Sequence, residues 1–280
     1  MATPDTYLLG DGPAPNETAR LDFQHSWFRK LTRNLLPKPI SDYLSTVPSP
    51  KIADIGTGTG IWLVDLWSQL PPTSVLHGFD IDTAKFPSPD RLPANVKLQQ
   101  ANTLKPFAEE RLGAYDLVHV RLLMYGLKKD EWEIVARNLL TLLKPGGWIL
   151  WEETGYISWV SLPPSRALSE ILDYDIRFAQ QVGRDITHPA RLLEHVENAG
   201  FVECVEKDHA DYEVFASDAA KKVYVMVLVQ AMKGIITRGG LPGLSTEEDI
   251  KRLQEAAEAD LYSGKYLYGM QMRWVWGKKA

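Results

Sequence analysis

The feature that most constrains this chain is a glycine-rich turn between an apolar run and an amphipathic segment. Lys51–Ile55 predicts a short buried strand, and Ile61–Leu70 predicts a helix that ends at a pair of prolines. The three glycines of the turn are Gly56, Gly58 and Gly60. Glycine permits positive φ and a close ligand approach, and N–H groups at a helix N-terminus bind polar ligands. The turn therefore predicts a loop for a nucleotide-type cofactor.

The glycine spacing and one acidic residue narrow the choice of cofactor. The dinucleotide fingerprint Gly-x-Gly-x-x-Gly receives a pyrophosphate, whereas this turn reads Gly-x-Gly-x-Gly. Asp54 precedes the first glycine by two positions, and its carboxylate would repel a pyrophosphate but favour a cation. An NAD-dependent enzyme is therefore disfavoured. The glycines alone leave a purely structural tight turn open.

Two further polar residues follow predicted strands. Asp80 ends the strand Val75–Asp80, where an acid can accept hydrogen bonds from both ribose hydroxyls. Asn102 follows the strand Val96–Ala101, and a side-chain amide can both donate and accept, as an adenine edge requires. The alternatives are a solvated strand-end acid and an ordinary turn residue.

Strands and helices continue to alternate after these residues. Tyr115–Arg121 predicts a fourth strand, Asp130–Leu143 a helix and Trp148–Glu153 a fifth strand. Such alternation predicts an α/β fold with a parallel, doubly wound sheet, right-handed crossovers and helices on both faces. Ligands of these sheets bind at the carboxyl ends of the strands, near the switch in strand order.

Composition and charge disfavour several functional classes. A net charge of −5 offers no electrostatic footprint for nucleic acid or an anionic membrane. The longest apolar run, Val223–Val229, is far shorter than the ~20 residues of a membrane helix. One cysteine, Cys204, excludes an internal disulfide, and Met1–Asp5 lacks the features of a signal peptide, so we expect a cytoplasmic protein. His188 and His195 have no third ligand beside them, so no metal site is expected.

Residues 1–50 form an extension before the predicted sheet. Asn16–Phe28 has apolar residues near helical spacing, and we expect the helix to end at Pro37–Pro39. The helix either packs on the flank of the sheet or closes over the cofactor. In the second case its inward-facing polar residues are Arg20, Gln24 and His25.

Residues 51–280 form one domain with helical insertions around 160–185 and 217–262. The predicted elements of this half are helices at Pro163–Val182, Pro189–Ala199, Ser217–Met232 and Ser245–Tyr262, and strands at Phe201–Val205 and Lys265–Trp276. The helix from Ser217 is hydrophobic on nearly every face, so it must be buried. It either covers an acceptor pocket or lies in a subunit contact such as a homodimer.

Five consecutive segments together resemble one family. They are Lys51–Trp62, His77–Asp80, Tyr115–Leu123, Leu142–Gly147 and Trp151–Glu153, with further similarity at Arg20-Leu21, Gln24-His25 and Lys265–Tyr268. The chain resembles fungal class I S-adenosylmethionine-dependent methyltransferases of secondary metabolism. That group is related to the global regulator that works with velvet proteins. The resemblance implies a Rossmann-like, mostly parallel sheet of seven strands with helical cap insertions.

The resemblance also implies where S-adenosylmethionine binds. The three glycines approach its methionine part and ribose, Asp80 binds the ribose, and Ile81 packs on the adenine. Asn102 and Thr103 lie at the adenine edge, although the family often has aspartate in place of Asn102. The resemblance also places Arg121 and Leu122 near the transferable methyl, and the arguments given above add Arg20, Gln24 and Asp54 to the predicted cofactor residues. No acceptor-binding residue matches a family pattern.

The predicted chemistry follows from this cofactor. Methyl transfer is an in-line displacement at an activated carbon, so the protein must mainly align the acceptor and exclude water. A base is needed only where the acceptor must lose a proton. The candidates are His25, Glu152 and Glu153, whereas His119 is expected to be buried in its strand.

The leading hypothesis is a methyltransferase that acts on O or N of a small natural-product acceptor. A rearrangement or cyclisation, with the sulfonium as a fixed charge, is a second enzymatic alternative. A third is a regulatory protein that acts through protein partners. The lack of a long basic or disordered tail counts against the regulator.

Overall fold

The computed structural model describes residues 14–155 and 158–280. The helices are α1 Ala14–Thr32, α2 Lys38–Ser45, α3 Ile61–Trp67, α4 Trp132–Leu142, α5 Arg166–Gln181, α6 Leu192–Asn198, α7 Tyr212–Ala216, α8 Asp218–Ile236 and α9 Glu247–Tyr262. The strands are β1 Lys51–Ile55, β2 Val75–Asp80, β3 Val96–Gln100, β4 Tyr115–Arg121, β5 Leu143–Glu153, β6 Trp159–Leu162, β7 Val202–His209, β8 Leu267–Met270 and β9 Met272–Lys278. The start of the predicted N-terminal extension, including Met1–Asp5, lies outside the described residues.

Seven strands form the main sheet in the order β3-β2-β1-β4-β5-β9-β7. The pairs β3–β2, β2–β1, β1–β4 and β4–β5 are parallel, and β9 runs antiparallel to both of its neighbours. The chain leaves β1 toward β3 on one side and returns at β4 on the other. The switch in strand order therefore lies between β1 and β4. The predicted fold class, a doubly wound and mostly parallel sheet, is confirmed.

Helices cover both faces of this sheet because successive strand residues point to opposite faces. Ile52 belongs to one core cluster, which also contains Trp62 of α3 and Tyr224 of α8. Its neighbour Ala53 belongs to a second cluster, which contains Trp132 of α4. The apolar run before the glycines is thus buried on both sides, as a central parallel strand must be.

The N-terminal region contains one helix that the sequence analysis did not predict. Pro37–Pro39 was expected to end the preceding helix, yet α1 has already ended at Thr32 and the prolines begin α2. Proline fits the first turn of a helix because no intrahelical partner is needed there for its missing N–H.

The prediction of one terminal strand over Lys265–Trp276 is wrong. The segment forms β8 and β9, separated by Gln271, whose N–H donates to the carbonyl of Ser158 at 2.8 Å. Strand β8 pairs with β6 in a separate two-stranded sheet, whereas β9 enters the main sheet between β5 and β7. The local sequence pattern is continuous across this segment, but its two halves pair with different strands and therefore form two separate strands. Strand β6 and helix α7 were not predicted either.

Helix α8 is the centre of the C-terminal cap. The predicted cap at Ser217 is present, because its Oγ accepts the N–H of Ala220 at 3.2 Å. The helix packs against α1, α5 and α9, and Tyr224 is fully buried. The homodimer stays a prediction. Across 14–155 and 158–280, no helix combines the length and apolar character needed to cross a membrane.

Candidate active site

A cavity of about 860 Å³ lies over the carboxyl ends of β1, β2 and β4, at the switch in strand order. Helix α1 forms one wall and the loop after β4 another. Ten of the predicted cofactor residues line it, namely Gln24, Asp54, Gly56, Gly58, Asp80, Ile81, Asn102, Thr103, Arg121 and Leu122. Gly60 lies at the start of α3, and Arg20 lines a smaller cavity nearby. The structure therefore brings most of the sequence motifs to one place.

The glycine turn adopts a conformation that favours glycine. Gly56, Gly58 and Gly60 have φ of 69°, 56° and 76°. The N–H groups of Gly56 and Thr57 both donate to the carbonyl of Phe79, which ties the turn to the end of β2. A Cβ at Gly56 would lie 2.8 Å from Cδ2 of Leu123. Positive φ and close packing therefore explain why these positions need glycine.

Asp80 holds the turn from the neighbouring strand. Its Oδ2 accepts the N–H of Gly58 at 2.8 Å, and its Oδ1 accepts the N–H of Asp82 at 2.9 Å. Burial raises the pKa of Asp80, and these two N–H groups oppose the rise. A carboxylate has about four acceptor positions, so about two remain for the hydroxyl groups of a ligand.

The side chain of Asn102 already accepts a hydrogen bond within its own turn. Its Oδ1 accepts the N–H of Leu104 at 3.0 Å, as in an ordinary Asx turn. The neighbouring Thr103 carbonyl accepts from Nδ2 of Asn138 at 2.8 Å. Both residues still line the cavity. The nitrogen of the Asn102 amide is therefore the atom of this side chain that suits donation to a ligand.

A buried histidine connects the turn to β5. Nδ1 of His119 donates to Oδ1 of Asp54 at 2.7 Å, while Oδ2 of Asp54 accepts from the Thr57 hydroxyl at 2.6 Å. Nε2 of His119 lies 3.4 Å from Oε1 of Glu152. Burial alone lowers the pKa of His119, but the carboxylates of Asp54 and Glu152 outweigh it and raise the pKa above its ordinary value. His119 therefore lies between two carboxylates that favour its protonated form.

The polar network continues through Arg121 to helix α1. Nη1 of Arg121 lies 3.9 Å from Glu152, and its Nη2 donates to Nδ1 of His25 at 3.1 Å. Nε2 of His25 therefore carries the proton and donates to Asp65 at 3.0 Å. Burial and the charge of Arg121 lower the pKa of His25 to about 4. Because Arg121 faces the lone pair of His25, the role of His25 as a base stays a prediction.

The two other predicted catalytic residues, Glu152 and Glu153, lie behind the cavity wall. Glu153 is fully buried, and its Oε1 accepts the N–H of Leu123 at 2.7 Å and the indole N–H of Trp151 at 3.0 Å. Burial raises the pKa of Glu153 to about 8. The loop that it holds contains Leu122 at a φ of 59°. In this structure Glu153 positions the loop after β4, and a catalytic role for it stays a prediction.

A smaller cavity of about 30 Å³ adjoins the large one. The two share Gln24 and Leu122 as lining residues, and the smaller is also lined by Arg20, Met124, Tyr125, Thr154, Val227 and Met270. Behind it, the hydroxyl of Tyr125 donates to Asp175 at 2.7 Å. Burial raises the pKa of Asp175 to about 6. The smaller cavity thus lies between the predicted cofactor residues and the C-terminal cap.

The histidines that were considered as metal ligands bond to each other. Nδ1 of His188 and Nε2 of His195 are 2.9 Å apart. Within the part of the chain that the structure describes, no three side chains of metal-binding type converge on one point.

Several residues of this region were missed by the sequence analysis. His119 carried one available signal, because Asp54 and His119 both stand near the carboxyl ends of strands that pair in the sheet. Asp65, Tyr125 and Asp175 carry no such signal, since a helix or a loop brings each to its partner.

The geometry defines a Rossmann-like domain with a nucleotide-type cofactor site. Residues 20–206 match the family of methyltransferase domains. The chain belongs to this family.

Curated relatives agree with the predicted subgroup. Methyltransferase grgD of Penicillium sp is 35% identical over 262 residues, which cover 89% of this chain and 88% of the relative. N-methyltransferase tcpN of Claviceps purpurea (strain 20.1) is 30% identical over 69% of this chain and 68% of its own. The secondary metabolism regulator LAE1 of Hypocrea atroviridis is 33% identical over 48% of this chain and 36% of its own. The resemblance to fungal methyltransferases of secondary metabolism is confirmed.

A solved structure supports the fold. Phosphoethanolamine N-methyltransferase 2 of Haemonchus contortus, in complex with phosphomonomethylethanolamine and S-adenosylhomocysteine, has a TM-score of 0.51 and 14% identity. The match covers 86% of this chain and 51% of that one. The chain thus spans about half the length of this structural neighbour.

Proposed function

We propose that this protein transfers the methyl group of S-adenosylmethionine to O or N of a small natural-product acceptor. The observation that carries the proposal is the cavity of about 860 Å³ at the switch in strand order of a methyltransferase-family chain. Small-molecule sites occupy ~300–1,000 Å³, so a cavity near the upper end suits a cofactor together with a small acceptor. The names of the fungal relatives support a natural-product acceptor, and one of them is an N-methyltransferase.

The residues around the turn fit this cofactor. Gly56 and Gly58 present backbone without side chains, and Asp80 keeps acceptor positions for the ribose hydroxyls. The carboxylate of Asp54 lines the cavity where a cationic ligand would need a counter-charge. Ile81, with Asn102 and Thr103, suits the adenine ring and its edge. Bound here, the cofactor would supply a methyl group activated by its sulfonium.

The side chains at the other end of the cavity would orient the acceptor and exclude water. Gln24 and His25 of α1 line the cavity, as do Arg121 and Leu122 after β4. We propose that residues 1–50 close over the cofactor through α1 and that the two helical insertions cover the acceptor. Val227 of α8 supports the second part because it lines the smaller cavity. Closure of this kind favours methyl transfer over reaction with water.

An acceptor that must lose a proton requires a base, and one candidate pair lies beside the smaller cavity, which adjoins the large one. Tyr125 lines that cavity, and its hydroxyl donates to Asp175. We propose that the acceptor proton passes to the Tyr125 oxygen while the Tyr125 proton passes to the Asp175 carboxylate. A pKa of about 6 leaves Asp175 ionised at pH 7 but close enough to accept a proton.

The test is methyl transfer from cofactor labelled on the methyl group to a panel of phenols, carboxylic acids, amines and cyclic amides. Labelled product is expected from at least one class, and NMR of that product identifies O or N. Tyr125→Phe should slow transfer to acidic O–H or N–H acceptors by about tenfold or more, within the usual range for general-base catalysis. If the protein binds the cofactor yet labels no member of the panel, the proposed function is wrong for these acceptor classes.

A further inference from the structure

We propose that His119 is a positioning residue that holds the Asp54 carboxylate in a fixed orientation toward the cofactor cavity. The proposal rests on the cofactor site proposed above. It adds a role for a residue of β4 that no sequence motif assigns.

Three contacts fix the His119 ring. Its Nδ1 bonds to Asp54 at 2.7 Å, and its Nε2 lies 3.4 Å from Glu152. The ring stacks on the indole of Trp62 with 3.5 Å between centroids and 1° between planes. Trp62 lies in the first turn of α3, the helix that follows the glycine turn, so the ring touches β1, β5 and α3 at once. A ring held by three elements cannot swing away from Asp54 without moving one of them.

The surroundings of Asp54 explain why its orientation depends on His119. Asp54 and Glu152 are almost completely buried, and buried polar groups need hydrogen-bond partners. His119 of β4 lies between Asp54 of β1 and Glu152 of β5, and Arg121 approaches the other oxygen of Glu152. Without the Nδ1 donor of His119, Asp54 would lose one of the two bonds that hold its carboxylate, and the carboxylate could rotate.

The consequence for the cofactor follows from the position of Asp54. Both Asp54 and His119 line the cavity, and each Asp54 oxygen already accepts one bond from the protein. These two bonds fix the plane of the carboxylate and leave further acceptor positions for a ligand. A carboxylate that is held in one orientation is pre-organised for a cationic ligand group, whereas one that can rotate is not.

Two amide variants test the two polar contacts of His119 one at a time. The nitrogen of an asparagine can replace Nδ1 and keep the bond to Asp54, whereas that of a glutamine replaces Nε2 and faces Glu152. His119→Phe keeps a stacking ring but loses both contacts. We expect affinity for S-adenosylhomocysteine, measured by calorimetry, to fall about tenfold or more in His119→Phe and His119→Gln. His119→Asn should stay within about threefold of the wild type. A merely structural role predicts no such difference between the two amides.

The matched control is His77→Phe, because His77 is another strand histidine, only partly buried, that does not line the cavity. The affinity of His77→Phe for S-adenosylhomocysteine should equal that of the wild type. Circular dichroism checks the folding of each variant. If His119→Phe does not fold, NMR of the wild-type protein decides the question. The ring resonances of His119 should shift when S-adenosylhomocysteine is added.

Three results would overturn the inference while leaving the cofactor site intact: wild-type affinity in folded His119→Phe, equal affinities in the Asn and Gln variants, or His119 ring resonances that do not respond to S-adenosylhomocysteine. Failure of the wild-type protein to bind S-adenosylmethionine and S-adenosylhomocysteine would instead refute the cofactor site itself.

Discussion

The cofactor side of the molecule and its C-terminal cap are built in different ways. At the carboxyl ends of β1, β2 and β4, short polar contacts connect strand-end residues such as Asp54, Asp80 and His119. The cap around α8 is instead held mainly by apolar packing, with Val223 and Leu228 almost completely buried. The cofactor side depends on individual hydrogen bonds and backbone angles, whereas the cap depends on the volume of its packed side chains.

This difference suggests which properties each region controls. Bonds such as the one from Gly58 to Asp80 tolerate little change, which suits a cofactor shared by a whole family. Apolar packing accepts substitutions of similar volume at small cost, so residues of the cap can change while the cap keeps its fold. Changes on the cofactor side should therefore affect binding, and changes in the cap should affect stability and acceptor choice.

The largest difference in cofactor affinity should be the one between Gly58→Ala and Gly146→Ala. Both glycines have positive φ, 56° and 75°, so alanine costs each about 1–2 kcal/mol of stability. Only Gly58 lines the cavity. We expect affinity for S-adenosylhomocysteine to fall about tenfold or more in Gly58→Ala and to stay unchanged in Gly146→Ala, as measured by calorimetry. Equal affinities would show that the turn does not contact the cofactor.

A cap variant should show the opposite behaviour. Val227→Ala removes two methyl groups from a buried position beside the smaller cavity, which should lower the free energy of unfolding by about 1–3 kcal/mol. Urea denaturation measures this loss. Affinity for the cofactor should stay within about twofold, since the residue lies outside the large cavity. A large loss of cofactor affinity would mean that the two regions are not independent.

Glu153 should make stability depend on pH. Its pKa is about 8 in the folded protein, compared with an ordinary value of 4.5, so its contribution to stability is complete below pH 4.5 and is lost as pH rises to 8. A single such group changes the free energy of unfolding by about 1 kcal/mol per pH unit in that range. Glu153→Gln keeps an acceptor oxygen for Leu123 and should show a shallower decline between pH 5.5 and 7.5 in urea denaturation. Parallel slopes would contradict a proton on Glu153.

The smallest effect is expected at the single cysteine. Burial raises the pKa of Cys204 to about 11, so at pH 7.5 almost no thiolate is present. Cys204→Ser should leave cofactor affinity and methyl transfer within about twofold. The wild-type thiol should react with iodoacetamide more slowly than free cysteine, and rapid labelling with loss of activity would contradict this.

The same contrast explains how much was predictable from the sequence. Strands β1 to β4, the glycine turn and Asp80 were predictable because each depends on local periodicity or on a spacing that reflects one βαβ unit. The division of Lys265–Trp276 into β8 and β9 was not, because the strands differ only in their distant partners.

The site shows the same limit. His119 was correctly expected to be buried, but its two carboxylate partners stand on other strands. Its contacts with these carboxylates therefore depend on strand register, which the sequence does not display. The bond between Tyr125 and Asp175 depends instead on where α5 packs. The local sequence pattern does not identify residues that only packing brings together.

The central claim is that the large cavity binds S-adenosylmethionine through the glycine turn and Asp80. The most direct test is calorimetry with S-adenosylmethionine and S-adenosylhomocysteine on the wild type, on Asp80→Ala and on Asp90→Ala, an exposed acid of the same crossover as control. We predict micromolar binding by the wild type and by Asp90→Ala, and its loss in a folded Asp80→Ala. Absence of binding to the wild type, or undiminished binding to Asp80→Ala, would contradict the claim.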